Sequence, residues 1–186
     1  MSSLRPYRPE DHELLQARES VFDDFGPHAV NPERSSRLDD DGGLVVSLDG
    51  DGPARGEVTW HWVQWGPTAA SRCPMIGIYL RPEARGRGLG VRAQRELVDL
   101  FFRHTVTNRV EAHTDIENVA EQRALERAGF QREGLVRGAH WRGGAYRDGY
   151  LYGVLRSDWT LAEVEPETEP KTELETGSVP GSTDDD

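Results

Sequence analysis

The sequence predicts an α/β fold in which a mixed, mostly antiparallel sheet is flanked by helices. Three patterns support this class: hairpin signals near both ends, one β-α-β run between them, and a second helical run that ends at a glycine. The chain has 186 residues, which suits a single domain with a tail.

The N-terminal half is mostly β in pattern. Asp11 is a residue type that favours a helix start, and it precedes a short apolar run at helical spacing. Residues 20–43 show no regular pattern. The turn-forming segment 49–53 predicts a hairpin between its flanking strands. The strands predicted in this half are residues 4–7, 44–48, 56–65 and 75–80.

The C-terminal half alternates between helical and β patterns. Residues 88–103 carry apolar residues close to helical spacing, and residues 118–128 are predicted as a second helix that Gly129 closes. The pair Gly143-Gly144 predicts the turn of a second hairpin. The strands predicted in this half are residues 109–114, 130–141 and 146–155.

Composition narrows the classes of function. The formal net charge is −11, and residues 161–186 hold nine carboxylates against one lysine, so the body of the chain is only mildly acidic. Because a continuous basic stripe is lacking, nucleic acid is not the expected ligand. No long apolar segment predicts a membrane span, and the single cysteine, Cys73, has no neighbours at metal-ligand spacing. We therefore expect a cytoplasmic protein that binds no metal and no membrane.

Residues 161–186 are rich in Glu, Pro and Thr and contain few apolar residues, which is typical of a disordered tail. We predict a domain over residues 1–160 followed by this acidic tail, which either keeps the protein soluble or binds a partner. Lys171 is the only lysine and lies in the tail, so lysine-based phosphate binding and Schiff-base chemistry are excluded from the body.

A glycine-rich turn precedes the first long predicted helix. It has the sequence Arg85-Gly86-Arg87-Gly88-Leu89-Gly90. Glycines let the backbone approach a ligand closely, and the N–H groups and dipole at a helix start favour an anion such as a pyrophosphate. The spacing differs from that of dinucleotide-binding and Walker motifs. A tight turn without a ligand is the alternative.

The spacing Arg85-x-x-Gly88-x-Gly90 after a strand resembles the Gln/Arg-x-x-Gly-x-Gly/Ala acyl-CoA motif of the GNAT superfamily of N-acetyltransferases. Asn118, followed eleven residues later by Gly129-Phe130, resembles the second motif of that family. Residues 141–152 are similar to the closing hairpin of its ribosomal-protein N-terminal acetyltransferase branch. The resemblance covers roughly residues 4–156 and implies the GNAT fold.

The resemblance implies acetyl-CoA as the acyl donor, and it assigns residues to the donor site. The glycine-rich turn would hold the phosphates, and Asn118 would orient the pantetheine arm as well as cap its helix. A backbone N–H on the bulged strand before the motif, around residues 78–80, would face the acyl oxygen. Arg92 and Arg123 are further candidates for the phosphates. The donor-binding residues implied in this way are Ile78, Leu80, Arg85, Gly86, Arg87, Gly88, Leu89, Gly90, Asn118 and Arg127.

Two side chains are candidates for proton transfer. His140 stands where the ribosomal branch places a glutamate, and its imidazole suits a base because it titrates near neutral pH. Glu121 stands where that branch has a serine acid, and it would protonate the thiolate if burial keeps it protonated. The tyrosine of many family members is missing, because Leu125 occupies its position. Structural roles for His140 and Glu121, with solvent as the acid, are the alternatives.

Three tryptophans allow two interpretations of how the acceptor is bound. Trp60 and Trp62 share one face of a strand and Trp141 lies in the closing hairpin, so they either line an amine-binding wall or pack in the core. The expected acceptor is a small-molecule amine or a protein N-terminus, and a homodimer is compatible with the sequence. A catalytically silent acyl-CoA-binding module is the alternative function.

Overall fold

The computed structural model describes residues 2–16, 20–26 and 34–159, so the acidic tail lies outside the described residues. The described residues form a seven-stranded sheet with the strand order β1-β2-β3-β4-β5-β7-β6. The strands are β1 (Leu4–Arg5), β2 (Gly42–Val46), β3 (Gly56–Gln64), β4 (Arg72–Leu80), β5 (Arg109–Asp115), β6 (Gln131–Arg142) and β7 (Ala145–Leu155). The helices are α1 (Asp11–Gln16), α2 (Leu89–His104) and α3 (Val119–Ala128).

The pairing of the strands confirms the mixed, mostly antiparallel sheet. Neighbouring strands are antiparallel except β4 and β5, which are parallel and which α2 connects. The parallel pairing covers only Met75 with Glu111 and Ile76 with Ala112. Beyond these residues β4 pairs with β3 alone and β5 pairs with β7 alone. The centre of the sheet therefore opens toward the carboxyl ends of β4 and β5.

An apolar core lies between the sheet and its helices. The buried face of α2 carries Leu97, Val98 and Phe101, all fully buried, whereas Arg92 and Arg103 on the same helix are exposed. This amphipathic pattern is what the helical spacing in the sequence predicts. The core continues over α3 and the strands through a cluster that includes Val58, Val110, Leu125, Phe130 and Tyr152.

The structure departs from the sequence-based elements at several places, and β1 and β2 both end two residues earlier than predicted. Asp11 is the first helical residue rather than the cap, and its carboxylate accepts two hydrogen bonds from the Arg5 guanidinium, both at 2.7 Å. The strand predicted at residues 75–80 already begins at Arg72. The bulge expected near residues 78–80 is absent from the pairing of β3 with β4, whose register is unbroken.

Two observations concern the described part of the chain only. None of its helices combines the length and the apolar character that a bilayer span requires. The same residues contain no group of three or more His, Cys, Asp or Glu placed to hold a metal ion.

Burial, followed by the nearby Glu111, raises the pKa of the Cys73 thiol to about 11, so this thiol is neutral at physiological pH.

Candidate functional site

The separation of β4 from β5 directs backbone groups of β4 into a gap. Arg81 N donates to Arg55 O at 2.9 Å, so the odd-numbered residues of β4 direct their backbone polar groups toward β3. The even-numbered residues Ile78 and Leu80 therefore direct theirs toward the gap. These are the two positions that the family resemblance implies for backbone contacts.

The opposite edge of the gap belongs to β5. Ile116 N donates to Asp148 O at 3.3 Å, so the even-numbered residues of β5 form backbone hydrogen bonds with β7. The odd-numbered His113 therefore directs its backbone groups away from β7 and into the gap. Two extended strand edges thus face each other across the gap. An extended, amide-bearing arm fits such a geometry, because it can pair with strand edges as another strand would.

The glycine-rich turn lies at the open end of the gap and leads into α2. Gly86 and Gly88 have φ of +72° and +76°, the left-handed region that other residues rarely adopt. A Cβ built at either residue would meet no atom within 4 Å, so both face open space. Arg92 N donates to Gly88 O at 3.1 Å as α2 begins, which leaves the preceding N–H groups without acceptors inside the helix. The turn therefore offers a place for an anion.

Arginines flank this turn. Arg85 Nε donates to Leu80 O at 2.9 Å and so ties the turn to the end of β4, while Arg87 is exposed. Arg127 of α3 shares a surface depression of about 480 Å³ with the start of α2, whereas Arg123 lies outside it. The depression is lined by Gly88, Val91, Arg92, Arg95, Glu96, Asp99 and Arg127.

A cavity of about 230 Å³ occupies the gap. Among the residues that line it are Ile78, Asn118, Glu121 and His140, all singled out in the sequence. They come from β4, the start of α3 and β6, so tertiary packing brings them together. Asn118 caps α3 as predicted, because its Oδ1 accepts a hydrogen bond from Glu121 N at 3.2 Å.

Glu121 extends from the first turn of α3 into the cavity. There Gln94 of α2, which is 1% exposed, donates from Nε2 to Glu121 Oε1 at 2.6 Å. Although part of Glu121 reaches solvent, burial of the carboxyl raises its pKa to about 8, and the hydrogen bond from Gln94 opposes that shift. A carboxyl with this pKa is mostly protonated at neutral pH and can donate a proton.

His140 lies on β6 at a register irregularity that begins after Val136, and it faces His113 of β5. His140 Nε2 and His113 Nδ1 are 2.8 Å apart, and the two rings are nearly perpendicular. Burial lowers the pKa of His140, with Asp115 opposing this shift and Arg142 adding to it. Burial and the neighbouring His140 lower the pKa of His113 to about 4. Both rings are therefore mostly neutral at pH 7.

The segment 20–26 completes the cavity wall, and no sequence pattern had singled it out. Phe22, Asp23 and Phe25 line the cavity. The Phe25 ring meets His140 edge-on, with 5.9 Å between the ring centroids. An irregular segment of this kind gives no local signal, because its position depends on residues far along the chain.

Arg142 anchors that segment. Its guanidinium forms a buried ion pair with Asp115 at 2.5 Å and donates from Nη1 to Val21 O at 2.7 Å. It also lies over the Phe22 ring, 5.1 Å from the centroid. The closing hairpin thereby holds the aromatic wall in place.

The tryptophans considered for an acceptor wall do not line the cavity. Trp60 is 2% exposed, and Trp60 and Trp62 both meet Phe101 of α2 edge-on. Trp141 is exposed and contacts Tyr146 across the hairpin, with 5.0 Å between the ring centroids. Core packing explains Trp60 and Trp62, because α2 covers their face of β3.

Comparisons with known proteins agree with this geometry. A family model described as an acetyltransferase (GNAT) domain matches residues 3–131. YjcK of Bacillus subtilis (strain 168), a probable N-acetyltransferase, is 32% identical over 89 residues, which are 48% of this chain and 49% of that protein. The chain spans about half the length of the curated relatives it matches.

Solved structures share the fold at lower identity. Mycobacterium smegmatis RimJ in complex with CoA-disulfide has a TM-score of 0.57 at 24% identity, over 64% of this chain and 55% of that one. Spermidine N-acetyltransferase from Vibrio cholerae in complex with CoA and spermine has a TM-score of 0.55 at 22% identity, over 63% of this chain and 67% of that one. Together with the family match over most of the described residues, the split sheet and its glycine-rich helix start show that this chain belongs to the GNAT acetyltransferase family.

Proposed function

We propose that this chain is an N-acetyltransferase that transfers an acetyl group from acetyl-CoA directly to a primary amine. The observation that carries the proposal is that the His140 imidazole and the buried Glu121 carboxyl line one cavity beside a glycine-rich turn suited to an anion. When bound, acetyl-CoA supplies an activated thioester. The residues of the chain bind it, orient it and move two protons.

The donor side is supported by three features of the described residues. The N–H groups at the start of α2 and the exposed Arg87 suit a pyrophosphate. The backbone edges at Ile78 and Leu80 suit the amides of a pantetheine arm. Asn118 lines the same cavity, where its side chain caps α3 and would border that arm. Arg127 belongs to the depression beside Gly88, which suits further phosphate groups.

The two shifted pKa values support opposite roles for two side chains. His140 remains unprotonated at neutral pH, so it can accept a proton from an ammonium acceptor. Glu121 remains protonated, so it can give a proton to the departing thiolate, and its carboxylate can then take the second proton that the amine nitrogen must lose. A backbone N–H directed into the gap at Ile78 can stabilise the oxyanion between these steps.

The acceptor side suits a cationic amine. Carboxylates of Asp23 and Glu57 line the cavity together with the rings of Phe22 and Phe25, whereas Asp115 is paired with Arg142, which lines the same cavity. The acceptor is a small-molecule amine or a protein N-terminus. Fold neighbours named for spermidine and for the alanine of ribosomal protein S5 represent both classes. We place the activity in the cytoplasm, where a single neutral thiol such as Cys73 stays reduced.

The test is a screen for thiol release from acetyl-CoA with a panel of polyamines, other primary amines and N-terminal peptides. We expect acceptor-dependent release, and mass spectrometry should find one acetyl group added to the acceptor. A reaction without acceptor measures background hydrolysis. If calorimetry shows acetyl-CoA binding but no acceptor supports release, the chain is a silent acyl-CoA-binding module and the proposal is wrong.

A further inference from the structure

We propose that His113 is a positioning residue that fixes the tautomer of His140, so that Nδ1 of His140 is the nitrogen that takes the proton from the acceptor. This inference rests on the proposed function, because it concerns the same proton transfer. It starts from the hydrogen bond between His140 Nε2 and His113 Nδ1, which are 2.8 Å apart. The ring planes meet at 87°, so the contact is edge-on rather than stacked.

The hydrogen bond constrains where the protons lie. A neutral imidazole has one N–H donor and one lone pair. If His140 Nε2 donates to His113, Nδ1 of His140 keeps its lone pair and can act as a base. If His140 Nε2 accepts instead, Nδ1 carries the proton and the ring has no basic nitrogen. Base catalysis by His140 therefore requires His113 Nδ1 to be the acceptor.

The hydrogen bond must also run from His140 to His113 after His140 has taken the proton. His140 then carries N–H groups on both nitrogens, and only a lone pair on His113 Nδ1 can face one of them at hydrogen-bond distance. The acceptor also favours the charged form of His140, because a hydrogen bond from an ionised donor is stronger than one from a neutral donor. His113 remains neutral over the working pH range, since its pKa is about 4.

Packing holds the His113 ring in this position. A Cβ built at Gly149 of β7 would lie 2.1 to 3.0 Å from three atoms of that ring, so the ring rests directly on a glycine backbone. No positive φ accompanies Gly149, so the glycine is needed for space rather than for its backbone conformation. Among the described residues, the charged groups that act on or flank the pair include Asp115 of β5, Arg142 of β6 and Asp23 of segment 20–26, and Arg147 of β7 lies opposite His140 in the strand register.

The two possible tautomers of the pair differ in whether Nε2 of His113 carries a proton. Nε2 of His113 has no hydrogen-bond partner among the described residues. In the proposed tautomer this nitrogen carries the proton, whereas in the opposite tautomer it is a bare acceptor and His140 does not act as the base. Nitrogen NMR of the full chain distinguishes the two, because protonated and bare imidazole nitrogens differ in chemical shift. We expect a protonated Nε2 and a bare Nδ1 for His140 at neutral pH.

Two substitutions at His113 test the role in turnover. His113→Leu removes the acceptor, and we expect kcat to fall about 10- to 100-fold, the usual effect of losing a hydrogen bond to a charged group, with the KM for acetyl-CoA unchanged. The acidic limb of the pH–rate profile should move to lower pH, because the imidazolium loses its partner. His113→Asn places an amide oxygen near the former Nδ1 and should restore most of the rate. His61→Leu, on the exposed part of β3 outside the cavity, is the matched control.

A second pair of variants displaces the ring without removing it. Gly149→Ala places a methyl group against His113 and should reproduce the loss in kcat, whereas Gly134→Ala, where a Cβ meets no atom within 4 Å, should leave it unchanged. A protonated Nδ1 on His140, an unchanged profile in His113→Leu, or no rescue by His113→Asn would each overturn the inference. The NMR result is read without turnover, so a failure of the proposed acetyl transfer is recognised separately.

Discussion

Gln94 Nε2 donates to Glu121 Oε1 across 2.6 Å and thereby joins α2 to α3 beside the gap. One hydrogen bond thus connects the helix that begins at the glycine-rich turn with the helix that Asn118 caps. Burial raises the pKa of Glu121 and this bond lowers it, and the resulting value of about 8 shows that burial dominates. The carboxyl is therefore protonated where the proposed chemistry needs an acid.

Glu121→Gln should change how stability depends on pH. Because folding raises the pKa of Glu121 from 4.5 to about 8, the folded chain binds more protons than the unfolded chain between these values. The free energy of unfolding of the wild type therefore loses a contribution as pH rises from 4.5 to about 8. The variant lacks this loss. Urea titrations should show a stability difference in favour of the variant that grows over this range and then levels off.

The same variant tests the acid role. Turnover of the wild type should decline above pH about 8 as Glu121 ionises, and Glu121→Gln should have a lower kcat at neutral pH with unchanged acetyl-CoA affinity. Glu126→Gln, on the exposed side of α3, is the matched control. Equal kcat values in Glu121→Gln and the wild type would assign protonation of the thiolate to solvent.

Local signals in the sequence were sufficient for the elements that frame the site. The conformation of Gly88, the cap at Asn118 and the stop at Gly129 depend on residues close in the chain, so their patterns predicted the starts and ends of α2 and α3. The prediction of a bulge near residues 78–80 was wrong. It came from the family resemblance, and no local signal in the sequence supported it. The sheet opens there by loss of pairing between β4 and β5 instead.

The cavity wall could not be predicted in the same way. Period-two alternation placed Trp60 and Trp62 on one face, but it does not tell which face α2 covers. Phe25 reaches His140 because Arg142 and Gly143 hold an irregular segment that lies far away in the sequence. His113 gave no signal, since its significance comes from a contact across the sheet.

Gly88→Asp should abolish tight binding of acetyl-CoA. The new carboxylate would project into open space at the start of α2, where the phosphates are expected, and its repulsion is worth on the order of 3 kcal/mol, or about 100-fold in affinity. Gly88→Asn is the matched control, because asparagine has the same shape and tolerates the left-handed φ but carries no charge. Calorimetry measures both. Equal affinities in the two variants would place the phosphates elsewhere.

His140→Gln should lower kcat by about 10²- to 10⁴-fold, the usual effect of losing a general base, while acetyl-CoA still binds. Burial lowers the pKa of His140 from 6.5, so the acidic limb of the wild-type profile should lie below that pH rather than near neutrality. The variant should lack this limb. His104→Gln, exposed at the end of α2, is the control. If the limb and the rate both persist in His140→Gln, the amine loses its proton to another group.

Arg142→Gln should weaken both the fold and the acceptor side of the cavity. It leaves the buried Asp115 carboxylate without its cation, a change that typically costs about 3 to 5 kcal/mol, and it releases Val21 O. We expect a higher KM for the acceptor with little change in acetyl-CoA affinity, together with a lower urea midpoint. Arg137→Gln on the exposed part of β6 should change neither. If Arg142→Gln is destabilised but its KM for the acceptor is unchanged, segment 20–26 does not contribute to acceptor binding.

Truncation after Thr160 should leave turnover and stability intact, because residues 161–186 contain too few apolar residues to contribute to a core. Truncation after Asp158 differs from it by two residues and also removes Trp159. Trp159 Nε1 donates to Asp99 Oδ1 at 2.6 Å, and its ring lies close to Gly129 and beside Phe102.

The shorter chain should therefore lose about 3 to 5 kcal/mol, the usual cost of deleting a buried large aromatic side chain, since α2 and the end of α3 lose a shared contact. Urea titration and thiol release, measured on both truncations and the full chain, compare the two effects. A chain ending at Thr160 that is as unstable or as inactive as one ending at Asp158 would mean that the acidic segment docks on the domain, in contradiction to the composition argument.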